Sequence, residues 1–294
     1  MHFNEIGQQL RAYRMESGLK AEEIAARLGV SRAALYRYEK GEVIKLDTVK
    51  RLAELLKISP LTLLGIGVEY YSRPIGYLER IRQIEETADQ ILQFFGPICY
   101  LTTSEEYDTA LALIFEEQAD QAGADRGLAR TAAEQVISAL TARKRMFLAR
   151  RPTMISILNA SAVEKFIDTG IAGSLPMSDR LRILSRETAR HEVERLADLM
   201  ESEPIGLQFG LVSGADPNGP FMLLRTPERA SLAINPFAAD SAPNAQTGVA
   251  MITSAEDAVM SHQRIAEATW RDAVKGPAAA RQIRSLLVSM KAAA

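Results

Sequence analysis

Between Ala21 and Lys40 the chain sets a small residue, a glycine and a leucine at an interval that few folds accept. Ala25 is small where two helices must approach closely. Gly29, four residues on, stands where a tight turn needs positive φ. Leu35, six residues further, is placed to pack the second of those helices on the first. Ile24, Leu28, Val30 and Tyr38 fill the space between, and Ser31 caps the second helix. Apolar periodicity alone would suit any small helical bundle. Small-x3-Gly-x5-Leu with a capping serine is far more restrictive, and it defines a helix-turn-helix over residues 21–40.

Around this unit, residues 1–66 read as five short helices. Asn4 is expected to cap the first, whose positions Ile6, Leu10 and Tyr13 recur at helical spacing until Gly18 ends it. The second runs from about Lys20 to Leu28, and the third from Arg32 to Lys40, stopped by Gly41. A fourth begins at Asp47 with Val49, Leu52, Ala53 and Leu56 inward. A fifth follows Ser59-Pro60 with Leu61 and Leu64 buried.

The stretch Ile6–Ile58, and above all the phrases GLKAEEIAARLGVSR and YEKGE, resembles the Cro/phage-repressor family, also called the XRE family. The resemblance spans about a fifth of the chain. It implies a transcriptional regulator, a repressor type among them, whose third helix enters the major groove and which binds as a dimer. By matching position, Arg32 and Ala33 fall among base-reading residues. Tyr36, Arg37 and Lys40 fall where side chains reach bases or adjacent phosphates, and Lys20 joins the set at the head of the second helix. Many members carry Gln at the start of that helix. Here the position is Ala21, so the usual contact is missing.

Elementary chemistry points the same way. Arg32, in the first turn of the third helix, can offer guanine O6 and N7 a bidentate contact worth about 1–3 kcal/mol of discrimination. Arg37 and Lys40 lie further along, where long cations find phosphate. Residues 1–66 carry 11 Lys+Arg against 8 Asp+Glu, within a chain of net charge −2. A basic head on an acidic body suits contact with DNA at one end.

The sequence predicts a linker over residues 67–74 and a larger mixed α/β domain over 75–294. Ile75–Phe95 reads as one amphipathic helix on the spacing of Leu78, Ile81, Ile84, Ala88 and Ile91, free to pack on its own domain or on a second subunit. Pro97–Thr102 and Met146–Ala149 read as strands, with helices at Tyr107–Gly123 and Arg126–Ala142 between them. Pro152 opens a helix to about Gly170, and Ser178 caps a long one to Ser202. Short strands follow at Ile205–Val212, Phe221–Arg225, Ser231–Asn235 and Gly248–Thr253, before helices at 254–275 and 277–290. No repeat of 20–50 residues is visible.

The chemistry of an enzyme is not apparent. His191-Glu192 begins an H-E-x-x-H pattern, but Arg195 stands where the second zinc-binding His belongs. There is no phosphate-binding G-x-x-x-x-G-K, no H-x-K and no H-x-H, and the three histidines are scattered. Ala172-Gly173 resembles the self-cleavage site of protease-type repressors, whose all-β Ser/Lys protease domain this helix-rich tail does not match. Cys99 in an apolar run, and Trp270, read as packing. No metal and no cofactor are expected, and the chain is read as a non-enzyme.

No stretch approaches the roughly 18–20 apolar residues of a membrane span. The first residues lack a secretory signal, and one cysteine cannot form an intrachain disulfide, so a cytoplasmic setting is expected. The partners are then an operator in double-stranded DNA, pseudo-palindromic for a homodimer, and a small-molecule effector for the 75–294 domain. The alternative is a domain that only oligomerises or holds another protein. An anionic effector is expected at Arg150 and Arg151, on the premise that they link a strand end to a helix N-terminus, where backbone N–H groups attract anions.

Overall fold

A computed structural model describes residues 3–214, 219–237 and 248–292. Five helices come first: α1 (Phe3–Ser17), α2 (Ala21–Leu28), α3 (Arg32–Glu39), α4 (Leu46–Leu56) and α5 (Pro60–Leu63). Two details differ from the sequence reading. Asn4 lies inside α1, so it does not cap it. Leu61 is more than half exposed; Leu63 is the buried residue, because a single turn of helix after Pro60 turns only one position inward.

The chain then forms β1 (Val68–Tyr71), α6 (Pro74–Glu85) and β2 (Gln90–Gly96). Next come α7 (Glu105–Asp120), α8 (Arg126–Arg150), β3 (Thr153–Asn159), α9 (Ala160–Thr169) and α10 (Asp179–Ser202). β4 (Leu207–Val212), β5 (Phe221–Arg225), β6 (Ala230–Ile234) and β7 (Ala250–Thr253) follow, then α11 (Glu256–Asp272), β8 (Val274–Lys275) and α12 (Gly276–Ala292). The strands make one mixed sheet in the order β1-β7-β6-β5-β2-β3-β4-β8. β2, β3 and β4 run parallel, joined through helices, and the remaining pairs are antiparallel.

Strand geometry sends alternate residues to opposite faces, and the core divides accordingly. Ile157, Leu223 and Leu232 pack under α11 against Val259 and Ala266. Their neighbours Leu158, Leu224 and Ala233 face the other helices. That second core is continuous with the five-helix head, whose Leu10, Tyr13, Leu35 and Leu52 belong to the same cluster as Tyr71, Leu78 and Ile81.

Several expectations for the body are corrected. The helix read over Ile75–Phe95 stops at Glu85, and residues 90–96 are the central strand β2. A strand covered on both faces has apolar residues on both, which imitates a helical stripe. Met146–Ala149 continues α8, since Met, Leu and Ala favour helix, and Pro152 precedes strand β3 instead of opening a helix. Pro97–Thr102 is a turn ending in a 3-10 helix at Tyr100–Thr102. Within the expected linker, Val68–Tyr71 pair with β7 at the edge of the sheet. Glu69 of this strand is buried with Arg80 of α6, and Glu5 of α1 forms an ion pair with Arg229.

Candidate nucleic-acid interface

α2 is capped by Lys20, whose backbone N–H donates to the Glu23 carboxylate at 2.8 Å. Ile24, Ala25 and Leu28 are buried on one side. The helix ends at Gly29, φ 70°, a value costly for any residue with a Cβ. The N–H of Val30 bonds to the Ala25 carbonyl at 3.0 Å, which closes the turn. Ser31 then caps α3, its hydroxyl accepting from the Ala34 N–H at 3.1 Å. Ala34 and Leu35 are the buried positions of α3.

The opposite side of α3 faces outward. Arg32, Ala33, Arg37 and Lys40 are exposed, as is Lys20, while Tyr36 is half-buried. The structure therefore brings the six expected residues to one region and leaves them without a covering element among the described residues. Arg32 lies over the Tyr36 ring, 5.3 Å from its centroid, and donates to the Tyr36 hydroxyl at 3.2 Å. It also pairs with Glu22 of α2 at 2.7 Å. The hydrogen bond to Tyr36, then the charge of Glu22, raise the Arg32 pKa further above its already high range. Arg37 pairs with Glu42 at 3.0 Å. Both pairs are more than half exposed, so each contributes little to stability and yields readily to a phosphate or base.

Sequence reasoning missed the groups that hold α3 in place. Arg14 of α1 forks onto Glu39 at 2.5 and 3.1 Å, with both side chains mostly buried. Gly7 lets α1 run against the end of α3: a Cβ there would lie 2.6 Å from the Tyr38 carbonyl oxygen. Neither contact has a local signal, because the partners are 25 and 31 residues apart.

Arg150 and Arg151 do not have the geometry expected of them. They close the C-terminal end of α8, Arg151 in the left-handed region with φ 51° and its N–H bonded to the Phe147 carbonyl at 2.8 Å. A helix C-terminus presents carbonyl groups and negative potential, the reverse of an anion site. A cleft of about 360 Å³ lies elsewhere, lined by Leu199, Met200, Leu207, Phe209, Trp270 and Lys275. Lys275 stands 5.0 Å from the Trp270 ring centroid. Among the described residues no His/Cys/Asp/Glu group is placed to hold a metal, and no helix is long and apolar enough to cross a membrane.

The first five helices are thus a helix-turn-helix domain whose third helix has an exposed outer face. Residues 5–64 match the family model described as a helix-turn-helix domain, in keeping with the XRE-type phrases of the sequence. The chain is also similar to a Pyrococcus horikoshii protein named for HTH-type transcriptional regulation, 31% identical over 122 residues. That similarity covers 38% of this chain and spans about two-fifths, 39%, of the relative. Among solved structures, the archaeal chromatin protein TrmBL2 aligns over 78% of this chain and 61% of its own, with 11% identity and TM-score 0.33. The phosphatidylserine synthase of Haemophilus influenzae aligns over 92% and 57%, with 10% identity and TM-score 0.36. Likeness at that level carries no argument for either activity.

Proposed function

We propose that this chain is a sequence-specific DNA-binding transcriptional regulator that binds a pseudo-palindromic operator as a homodimer. The observation that carries the reading is the outward face of α3. Arg32, Ala33, Arg37 and Lys40 are exposed there, on a helix whose other side is buried and whose end is anchored through Arg14 and Glu39. Arg32 and Ala33 read bases, Tyr36, Arg37 and Lys40 reach bases or flanking phosphates, and Lys20 adds a phosphate contact beside α2. Selection of the full chain against a random duplex pool tests this. Enrichment of paired half-sites about 10–10.5 bp apart, or a multiple, is expected. A pool without enrichment overturns it. Sedimentation of the free chain as monomer at micromolar concentration counts against the dimer.

In the same reading, residues 1–66 bind DNA and residues 75–294 sense a small molecule. The cleft beside Trp270 supports the sensing role, since its volume of about 360 Å³ falls within the range of small-molecule sites. Arg150 and Arg151 are not part of this reading. A metabolite screen by thermal shift on the full chain tests it: a ligand at 100 times its dissociation constant adds about 2.7 kcal/mol. If nothing shifts the melt, the body is left with an oligomerising or protein-binding role alone.

A further inference from the structure

Where head and body meet, one carboxylate does an unusual amount of backbone bonding. Glu16, near the end of α1, accepts from the Ser72 N–H at 2.6 Å, the Ser72 hydroxyl at 2.7 Å and the Arg73 N–H at 3.1 Å. Gly76 leaves room for it, since a Cβ there would lie 2.5 Å from Glu16 Oε2. The Arg73 guanidinium bonds elsewhere. Its Nη1 donates to the Glu16 carbonyl oxygen at 3.3 Å and lies against Gly18, where any Cβ would collide with it. Arg73 is exposed, and among the described residues no carboxylate pairs with its guanidinium.

That position lies beside the reading surface. Gly18 is two residues before Lys20, which caps α2, and Glu22 in the first turn of α2 holds Arg32. Arg73 thus lies against the turn that leads into α2, the helix whose Glu22 pairs with Arg32. Glu22 and Glu23 place two negative charges in the first turn of that helix, which raises the need for cations facing a phosphate there.

We propose that Arg73 is a DNA-backbone contact supplied from outside the helix-turn-helix, meeting a phosphodiester beside α2 when α3 occupies the major groove. The inference rests on the DNA-binding reading above and adds a residue to it. Arg32 and Arg37 must each leave a carboxylate to reach DNA, whereas Arg73 has none to leave. Its backbone is fixed by Glu16 and by β1 two residues earlier, so only the side chain has to order on binding. The planar fork suits a phosphate bidentately.

The test uses the full chain on a selected operator and on random duplex, titrated at several salt concentrations. Arg73→Gln should weaken binding to both by the same factor and make the slope of log K against log salt shallower by about 0.9 per bound protomer. Arg271→Gln, at an exposed position on α11, should change neither. An unchanged slope for a folded Arg73→Gln overturns the proposal. A role only in joining head to body would lower the melting temperature and leave the slope alone, and would overturn it equally. A wild-type chain that selects no DNA refutes the proposed function instead. If Arg73→Gln does not fold, arginine modification of the wild-type chain by phenylglyoxal decides. DNA should shield Arg73 and spare Arg271 no modification, and Arg73 modified at the same rate with and without DNA overturns the assignment.

Discussion

Arg80 and Glu69 meet in the interior as a two-pronged ion pair, Nε to Oε2 at 2.8 Å and Nη2 to Oε1 at 2.9 Å, with 1% of the Arg80 side chain exposed. The pair is also where head and body are sewn together. Gln9 of α1 donates to Glu69 Oε1 at 2.9 Å, and the Tyr71 hydroxyl donates to Oε2 at 2.7 Å. Tyr71 in turn stacks on Tyr13 of α1, the ring centroids 5.0 Å apart. Four donors on one carboxylate satisfy a charge that would otherwise be costly to bury.

Glu69→Ala should therefore lower stability by about 3–5 kcal/mol, because it strands a buried guanidinium and orphans Gln9 and Tyr71. The double replacement Glu69→Leu with Arg80→Met should recover much of that loss. Urea unfolding of the full chain measures both. A single variant within about 1 kcal/mol of wild type would show that the pair contributes little.

On DNA, Arg32→Ala should lose discrimination between operator and random duplex by about 1–3 kcal/mol, with less effect on overall affinity. Arg37→Ala and Lys40→Ala should weaken both complexes alike and each flatten the salt dependence by about 0.9. Anisotropy titrations at two salt concentrations separate the outcomes. Intact discrimination in Arg32→Ala would remove it from the base-reading set.

Gly7→Ala should loosen the head. The added methyl meets the Tyr38 and Glu39 carbonyl oxygens and the Gly41 nitrogen, all backbone and all within 2.8 Å of where it must sit. Overpacking of this kind costs about 1–3 kcal/mol. Melting of the variant at the wild-type temperature would mean that α1 can retreat from α3 freely.

How much of this was legible in the sequence depends on the distance over which the information is stored. The head was readable because Ala25, Gly29, Ser31 and Leu35 act within eleven residues, through a turn, a cap and one packing contact. The exposed side of α3 followed by subtraction. The junction was not readable: Gln9 finds Glu69 across 60 residues of chain, and nothing near either residue signals it. In the body the two central strands were misread for one reason. β2 and β3 lie centrally and are covered on both faces, so Met154, Ile157 and Leu158 are all buried, and period-2 alternation is lost. The antiparallel strands β5, β6 and β7 were found because turn residues bracket them.

Acid should weaken the seam between α1 and α6. Burial pushes the Glu79 carboxyl up, but hydrogen bonds from Arg82 and the nearby charge of Arg11 outweigh it and hold the group below its ordinary value of 4.5. A carboxyl depressed in the fold stabilises fully above its unfolded value, and that contribution is lost as pH falls through the folded one. Arg11 belongs to α1 and Glu79 to α6, at 3.0 Å. Glu79→Gln should remove part of the stability decline below about pH 4.5. Unfolding midpoints that fall as steeply in the variant as in wild type would assign the acid sensitivity to other carboxylates.

Cys99 is fully buried, and burial pushes its thiol up to about 11. It should resist thiol reagents at pH 8 in the folded chain and react promptly in urea, since the thiolate is the nucleophile. Rapid labelling of the native chain would reveal an opening motion at the end of β2.

Val68–Tyr71, expected as part of a linker over residues 67–74, is instead a strand of the sheet, hydrogen-bonded in register to β7. A tether would let two heads swing independently and sample half-sites of any phase. A strand makes head and sheet one arm of a caliper. In a dimer joined through the sheet-bearing portion, the gap between the two recognition helices is then a fixed length. The spacing of the proposed operator would then be a property written in residues that never touch DNA.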